Sequence, residues 1–472
     1  MNNSTIAPAA PIRSPYTIAP EDIAMRAVDL PEMTSVKMKE LFPELEDAIP
    51  LTKESIRKAA ENALAGVDFS KVNPGDSVNI LASHHGFTLA GGEPYAELLR
   101  TIRDEVEKRT GTKDIRLRAG NGLRYRESEL FIKKFKLDEY FHGKAKNVTP
   151  LMKGVPIQTK IGTLYGLSDV YDAKWIIHVH NTDVRELHFH RVIDRIMKPF
   201  GMSYARIETR STYHYNLGPR GGNFVARSIY ESDFVQEKML FSVMLKVSPN
   251  GIMGVDADND LFRLNERSTR KMLEEYGKLI TLLNELEDTG CIAVLDCHAP
   301  LSYVSAGGLI FAAFLQIGTD PFDLDHPVTP YSFYTEQCYD EHGKTNVEEV
   351  PKVSGALKAM INNYSCKGYP GGFFSAQIPS IIVGEKLKAV FDLDEQNAGY
   401  TKDSLIAPDL LTAVNLTMKM SGCRNLVAFD GAVGGINMSR ELREFLLERV
   451  PAVRKKVDEE LMPKWLAQRN MV

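Results

Sequence analysis

At 472 residues the chain exceeds the size at which one hydrophobic core normally stops growing, so two domains are the first expectation. Hydrophobic residues make up 43% and charged residues 25%, the composition of a soluble globular protein, and a formal net charge of -5 gives no electrostatic case for a nucleic-acid partner. No apolar run approaches the roughly 20 residues that span a bilayer, and the five cysteines (291, 297, 338, 366 and 423) include no CxxC pair, which argues against a thiolate zinc site or a disulfide framework and suits the cytoplasm.

The first 20 residues are rich in Pro, Ala, Ser and Thr and lack the apolar stretch of a secretory signal. They read as a flexible arm, of the kind that can pack on a second copy in a homo-oligomer. The turn Asn73-Pro74-Gly75-Asp76 launches a short apolar strand at 78–82, which runs into Ser83-His84-His85-Gly86. Apolar positions 95, 98, 99, 102 and 106 have the 3.6-residue spacing of an amphipathic helix over 95–109. Further strands are expected at 115–119, ending in Gly120-Asn121-Gly122, and at 175–180. Strands alternating with helices imply parallel βαβ units, whose ligands gather beyond the carboxyl ends of the strands. The segments 83–86, 120–126 and 178–190 are the loops expected there. A long helix at 266–287 bridges to a second set of strands, 291–296 and 426–429, followed by a charged amphipathic helix over 439–449. The expected fold is therefore α/β, two domains with mainly parallel sheets and the active site in the cleft between them.

The densest chemistry lies between Lys174 and Arg220, where five of the 11 histidines (178, 180, 188, 190 and 214) fall within 47 residues. Imidazole titrates near neutrality and is the commonest metal ligand. His178 and His180, two apart at a strand end, have the spacing of paired metal ligands, which would suit a zinc-dependent hydrolase or lyase. Gly120-x-Gly122 lacks the rest of a dinucleotide fingerprint, and no G-x-S-x-G elbow supports a serine hydrolase.

A set of segments in chain order resembles the lactate racemase family, the enzymes dependent on a nickel-pincer nucleotide. These are Val72-Asn73-Pro74-Gly75-Asp76 with the strand and Ser83 after it; Gly154-Val155-Pro156 followed by Asp169-Val170; Lys198 and His214, 16 apart; His188, 10 before Lys198; Gly368-Tyr369-Pro370 with Gln377 seven residues on; and Leu426 to Gly435. The anchors cover roughly residues 70–440. The chain departs from the family pattern in four places. Ser83-His84-His85-Gly86 replaces the usual Asp and Thr-Arg-Pro, and the segment at Ala119–Tyr125 lacks the family's second catalytic histidine. Ser380 stands where a lysine is usual, and Arg195-Ile196-Met197 replaces a glycine pair.

The resemblance implies inversion at C2 of a 2-hydroxy acid by hydride transfer to the cofactor, with the protein supplying tether, ligand and proton handling. Residue by residue it implies Lys198 as the covalent tether, His214 as the nickel ligand and His188 as one acid/base. His85 and His84 are the first candidates for the missing base, ahead of His180, Tyr125 and His298. Arg124, Tyr125, Gln377 and His180 are candidates for holding substrate, and Arg185 and Gly86 for meeting the cofactor phosphate. The polar replacements favour a polyhydroxylated acid such as an aldonate. The implied organisation is an arm over 1–20, a cofactor-binding α/β domain over 21–265, a linking helix over 266–290 and a second α/β domain over 291–472. A non-catalytic sugar-acid binding protein is the remaining reading, should no residue replace the second base.

Overall fold

A computed structural model describes residues 5–13, 17–121, 126–182, 196–213, 221–297, 320, 322–325, 355–364, 377–393 and 400–471. Its strands are β1 Met33–Lys37, β2 Ser77–Ser83, β3 Asp114–Gly120, β4 Ala145–Val148, β5 Gly154–Thr159, β6 Gly162–Leu167, β7 Trp175–Asn181, β8 Met239–Ser248, β9 Gly251–Asp258, β10 Cys291–Leu295, β11 Leu357–Asn362, β12 Ser380–Val383, β13 Leu405–Ala407, β14 Leu426–Phe429 and β15 Gly435–Ser439. They form two large sheets, in the orders β4-β3-β2-β7-β8-β9 and β1-β15-β14-β10-β11-β12-β13, and a separate β5-β6 hairpin. All pairs in the first sheet are parallel except β8 with β9; in the second, β14, β10, β11, β12 and β13 are parallel, and β15 alone is reversed, pairing antiparallel with both β14 and β1. The chain is thus α/β with two mainly parallel sheets, as its alternating pattern implies.

Buried on both faces, the central strands read as near-continuous apolar runs. Val78, Ile80 and Ala82 of β2 share one core cluster with Leu117, Ala119, Ile177 and Val179, whereas Leu81 and Ile176 face another. The helix over Glu93–Thr110 covers the first of these faces with Tyr95, Leu98, Leu99, Ile102 and Val106; Pro94 occupies its first turn, and Gly111, at φ +71°, ends it. The long helix runs Leu261–Asn284, starting five residues earlier than its periodicity suggests because Asp260 caps it, its carboxylate accepting from Phe262 N at 2.8 Å. Leu261 and Leu264 pack with the first sheet's core, and Met272, Leu273, Tyr276, Leu279 and Ile280 with the second's.

Two features were not legible as pattern. Met33–Lys37 lies in the sheet otherwise built from residues after 290, paired with β15. The segment before it, expected as a flexible arm, is tied down along the same sheet. Ile6 N donates to Asn437 Oδ1, Ala9 N to the Asp430 carbonyl, and Ile12 N to the Tyr364 hydroxyl. Arg26 Nε donates to Asp296 Oδ2 at 2.9 Å, just beyond β10. Residues 430–434 make the tight turn between β14 and β15, with Gly431 and Gly434 both at positive φ. No helix among the described residues is long and apolar enough to cross a membrane.

Candidate functional site

Beyond the carboxyl ends of β2, β3 and β7 one face of the first sheet turns polar. Side chains alternate along a strand, so the face that carries Leu81 and Ile176 also carries Ser83 of β2, Gly120 of β3, and His178 and His180 of β7. His178 and His180 lie inside the strand and are fully buried, not in the loop expected to begin there. Their rings are 6.0 Å apart.

The two histidines have different surroundings. His178 Nε2 lies 2.7 Å from the Ile196 carbonyl, which can only accept, so Nε2 carries the proton and Nδ1, 3.0 Å from the Tyr204 hydroxyl, is the acceptor. Phe200 packs against the ring with centroids 5.0 Å apart. Burial pushes the imidazole down to about 4, against the opposing pull of the Ile196 carbonyl. With both nitrogens engaged and the ring neutral, His178 is a structural residue, which removes it from a zinc pair with His180. Among the described residues no group of three or more His, Cys, Asp or Glu side chains is placed to hold a metal. His180, on the same face two residues further along β7, has its ring 6.4 Å from that of His85.

Helix α1, His84–Phe87, begins where β2 ends; Ser83 caps it, with its hydroxyl 3.4 Å from His85 N. His84 is buried and His85 half-buried, their rings 3.9 Å apart. Gly86 has a packing reason: a Cβ there would stand 2.4 Å from the ring of Tyr95. That ring belongs to helix α2, Glu93–Thr110, and its hydroxyl donates to the Val179 carbonyl at 2.7 Å while accepting from Ser83 N at 3.3 Å. Tyr95 therefore ties the ends of β2 and β7 together beneath the histidines.

Helix α3, Glu127–Lys134, approaches from β3. Asn121 Oδ1 accepts from Ser128 N at 2.8 Å, and Ser128 Oγ donates to the Gly120 carbonyl at 3.1 Å, so the first turn of α3 is fixed to the strand end. This brings the buried Glu127 within 3.8 Å of His84, Oε2 to Nε2.

The segment 196–204 crosses the ends of all three strands. Ile196 meets His178 as described; the Ser203 hydroxyl lies 3.0 Å from that of Ser83; the Tyr204 hydroxyl lies 3.1 Å from the Leu81 carbonyl. Gly120 permits the crossing, since a Cβ would lie 2.3 Å from the Ser203 carbonyl oxygen. Within this segment Lys198 opens helix α4, Lys198–Gly201, ahead of Pro199, and is only 6% exposed. A lysine enclosed so far is no surface residue.

No family model matches the chain, and no curated protein does. Among solved structures it is similar to one titled "Structure of the lactate racemase apoprotein from Thermoanaerobacterium thermosaccharolyticum". The identity is 12%, the match covers 81% of this chain and 95% of that one, and the TM-score is 0.36. A likeness at that level decides no chemistry, and the fold class rests on the strand pairings above.

Of the residues singled out from sequence, His84, His85, Gly86, His180 and Lys198 are thus brought to one end of one sheet. Gln377 is half-buried and sits just before β12, at the amino end of that strand in the second sheet. Arg124, Tyr125, Arg185, His188, His190, His214 and His298 lie outside the described residues. Sequence reasoning gave no place at the site to Glu127 or Ser203, and took Tyr95 only as an apolar position of its helix. An acidic residue at a helix start reads as a solvated cap, and only the fold shows Glu127 facing an imidazole.

Proposed function

We propose that the chain is a racemase or epimerase that inverts C2 of a 2-hydroxy acid, an aldonate by preference, with a nickel-pincer nucleotide as cofactor. The observation that carries this reading is the enclosed Lys198 on a segment crossing the strand ends that bear His84, His85 and His180. The donor set suits such a group: an amine for a covalent link and imidazoles for metal and proton work. Lys198 is well placed as a tether because its segment is anchored two residues earlier, at Ile196, by the ring of His178. Lys198 would hold the nucleotide and His214 the nickel, and when bound the group supplies a centre that accepts and returns the substrate's C2 hydrogen with its electron pair.

The chain's own part is proton handling and placement. A base must take the hydroxyl proton as the carbon loses its hydrogen and must return it afterwards; inversion asks for one such group on each face of the substrate. His85 and His84 are the groups proposed for one face and His188 for the other. Arg124 and Gln377 are proposed to hold the carboxylate or a hydroxyl, in the cleft between the two α/β halves. The zinc alternative lacks support at His178, whose two nitrogens are engaged.

The test is the mass and metal content of the protein produced together with the cofactor. A covalent adduct present in wild type and lost in Lys198→Ala, with nickel rather than zinc, is the expected result. Candidate 2-hydroxy acids turned over in deuterated water should keep the C2 hydrogen. Stoichiometric zinc with an unmodified mass would overturn the proposal.

A further inference from the structure

The pair Glu127–His84 is not part of the reading so far. Both side chains are buried, 1% and 4% exposed, and the carboxylate approaches the imidazole to 3.8 Å. That is ion-pair range, longer than a hydrogen bond, and catalytic contacts of this kind commonly tighten only when a ligand is bound. The placement is built in. Glu127 is the first residue of α3, whose start is pinned to β3 through Ser128 and Asn121. The helix is then stacked on α1 by Phe131 against Phe87, with ring centroids 5.3 Å apart and planes 14° apart. Phe135 extends the same stack at 6.1 Å. A three-ring stack thus sets the distance between the carboxylate and the imidazole.

His85 completes the arrangement. Its ring lies 3.9 Å from that of His84, and it is the less buried of the two. Two imidazoles so close cannot both charge without repulsion, so an adjacent carboxylate decides which one does. His180 of β7 also lies next to His85, and Tyr95 of α2, whose hydroxyl is bound at Ser83 N and the Val179 carbonyl, packs beneath α1. Of these groups Glu127 is the one carboxyl, and so the one that can supply a negative charge to an imidazole.

We propose that Glu127 is a positioning residue that keeps His84 as the protonated member of the His84–His85 pair, leaving His85 as the neutral base that receives the substrate's hydroxyl proton. The assignment to a substrate proton rests on the racemase reading above; the charge asymmetry of the pair does not. During turnover the hydroxyl proton moves to His85 and returns from it to the product alkoxide, so the proton count is unchanged over a cycle.

The asymmetry can be measured on the full chain without nickel or substrate. With carbon-13-labelled histidine, the His84 and His85 ring signals are assigned by their loss in His84→Gln and His85→Gln and followed against pH. In Glu127→Gln the His84 midpoint should fall by about one pH unit or more, the effect of a carboxylate removed at this range. That of His85 should rise as its neighbour discharges. Glu127→Asp, which keeps the charge, should stay nearer wild type. A His84 midpoint unchanged in folded Glu127→Gln overturns the proposal. Should Glu127→Gln not fold, the pair is read from the other side: the carboxyl midpoint of labelled Glu127 should rise in His84→Gln, and an unchanged value refutes it. Because this titration is independent of cofactor, its failure leaves the Lys198 adduct test standing, and a missing adduct leaves the pair standing.

Discussion

His178 offers a sharp test of the packing beneath the site. The residue is fully buried, donates from Nε2 to the Ile196 carbonyl, and has its imidazole pushed down to about 4 by burial, from an ordinary value of 6.5. The folded value lies below the unfolded one, so on acidification the unfolded chain takes up a proton that the folded chain refuses. His178 therefore contributes stability fully above pH 6.5 and loses it as pH falls towards 4. The full difference between about 4 and 6.5 corresponds to roughly 3 kcal/mol, of which about 2 kcal/mol should be lost between pH 7 and pH 5. Other buried groups titrate nearby with the opposite sign: burial pushes Asp430 up to about 6 and Glu275 up to about 7. The informative quantity is hence the difference between wild type and His178→Gln, measured by urea unfolding at pH 5, 6 and 7. His178→Gln should be less stable at pH 7, and the gap should close by about 2 kcal/mol at pH 5. A gap that stays constant with pH would show that the imidazole is not held neutral, and the strand-end packing described here would be wrong.

Gly86→Ala should destabilise the chain by about 1–3 kcal/mol, because the new Cβ would stand 2.4 Å from a Tyr95 ring that is held at its hydroxyl and cannot retreat; thermal unfolding measures it, and an unchanged melting temperature would contradict the contact. Arg26→Ala should cost about 3–5 kcal/mol by leaving the fully buried Asp296 without its cation. The same change should expose residues 5–30 to limited proteolysis, and continued resistance there would argue that the N-terminal segment is held by its other bonds alone. The adduct on Lys198 and the coupled titration of His84 and Glu127 complete the set of outcomes open to measurement.

The fold class was legible because its signals are local. Parallel strands buried on both faces are apolar at most positions, so the runs at 78–82 and 175–180 announce themselves without any partner, and 115–119 does so through Ile115, Leu117 and Ala119 between its arginines. The helix 95–109 is visible for the same reason, since one face must meet the sheet. Much of the candidate site was legible as composition, with imidazoles and a lysine gathered where strands end. What each would do was not. His178 and His180 are indistinguishable in sequence, yet one is locked between Ile196 and Tyr204 and the other is turned towards His85.

Sequence alone determined that this chain makes parallel α/β units and that its histidines cluster near one strand end, because hydrophobic period and residue type act over a few neighbours. Only the tertiary structure decided that Met33–Lys37 joins the far sheet, that Gly120 admits the Ser203 carbonyl, and that Glu127 faces His84. Those outcomes depend on which segments pack together across long stretches of chain, and a strand's pairing partner or an acid's buried neighbour leaves no mark on its own few residues.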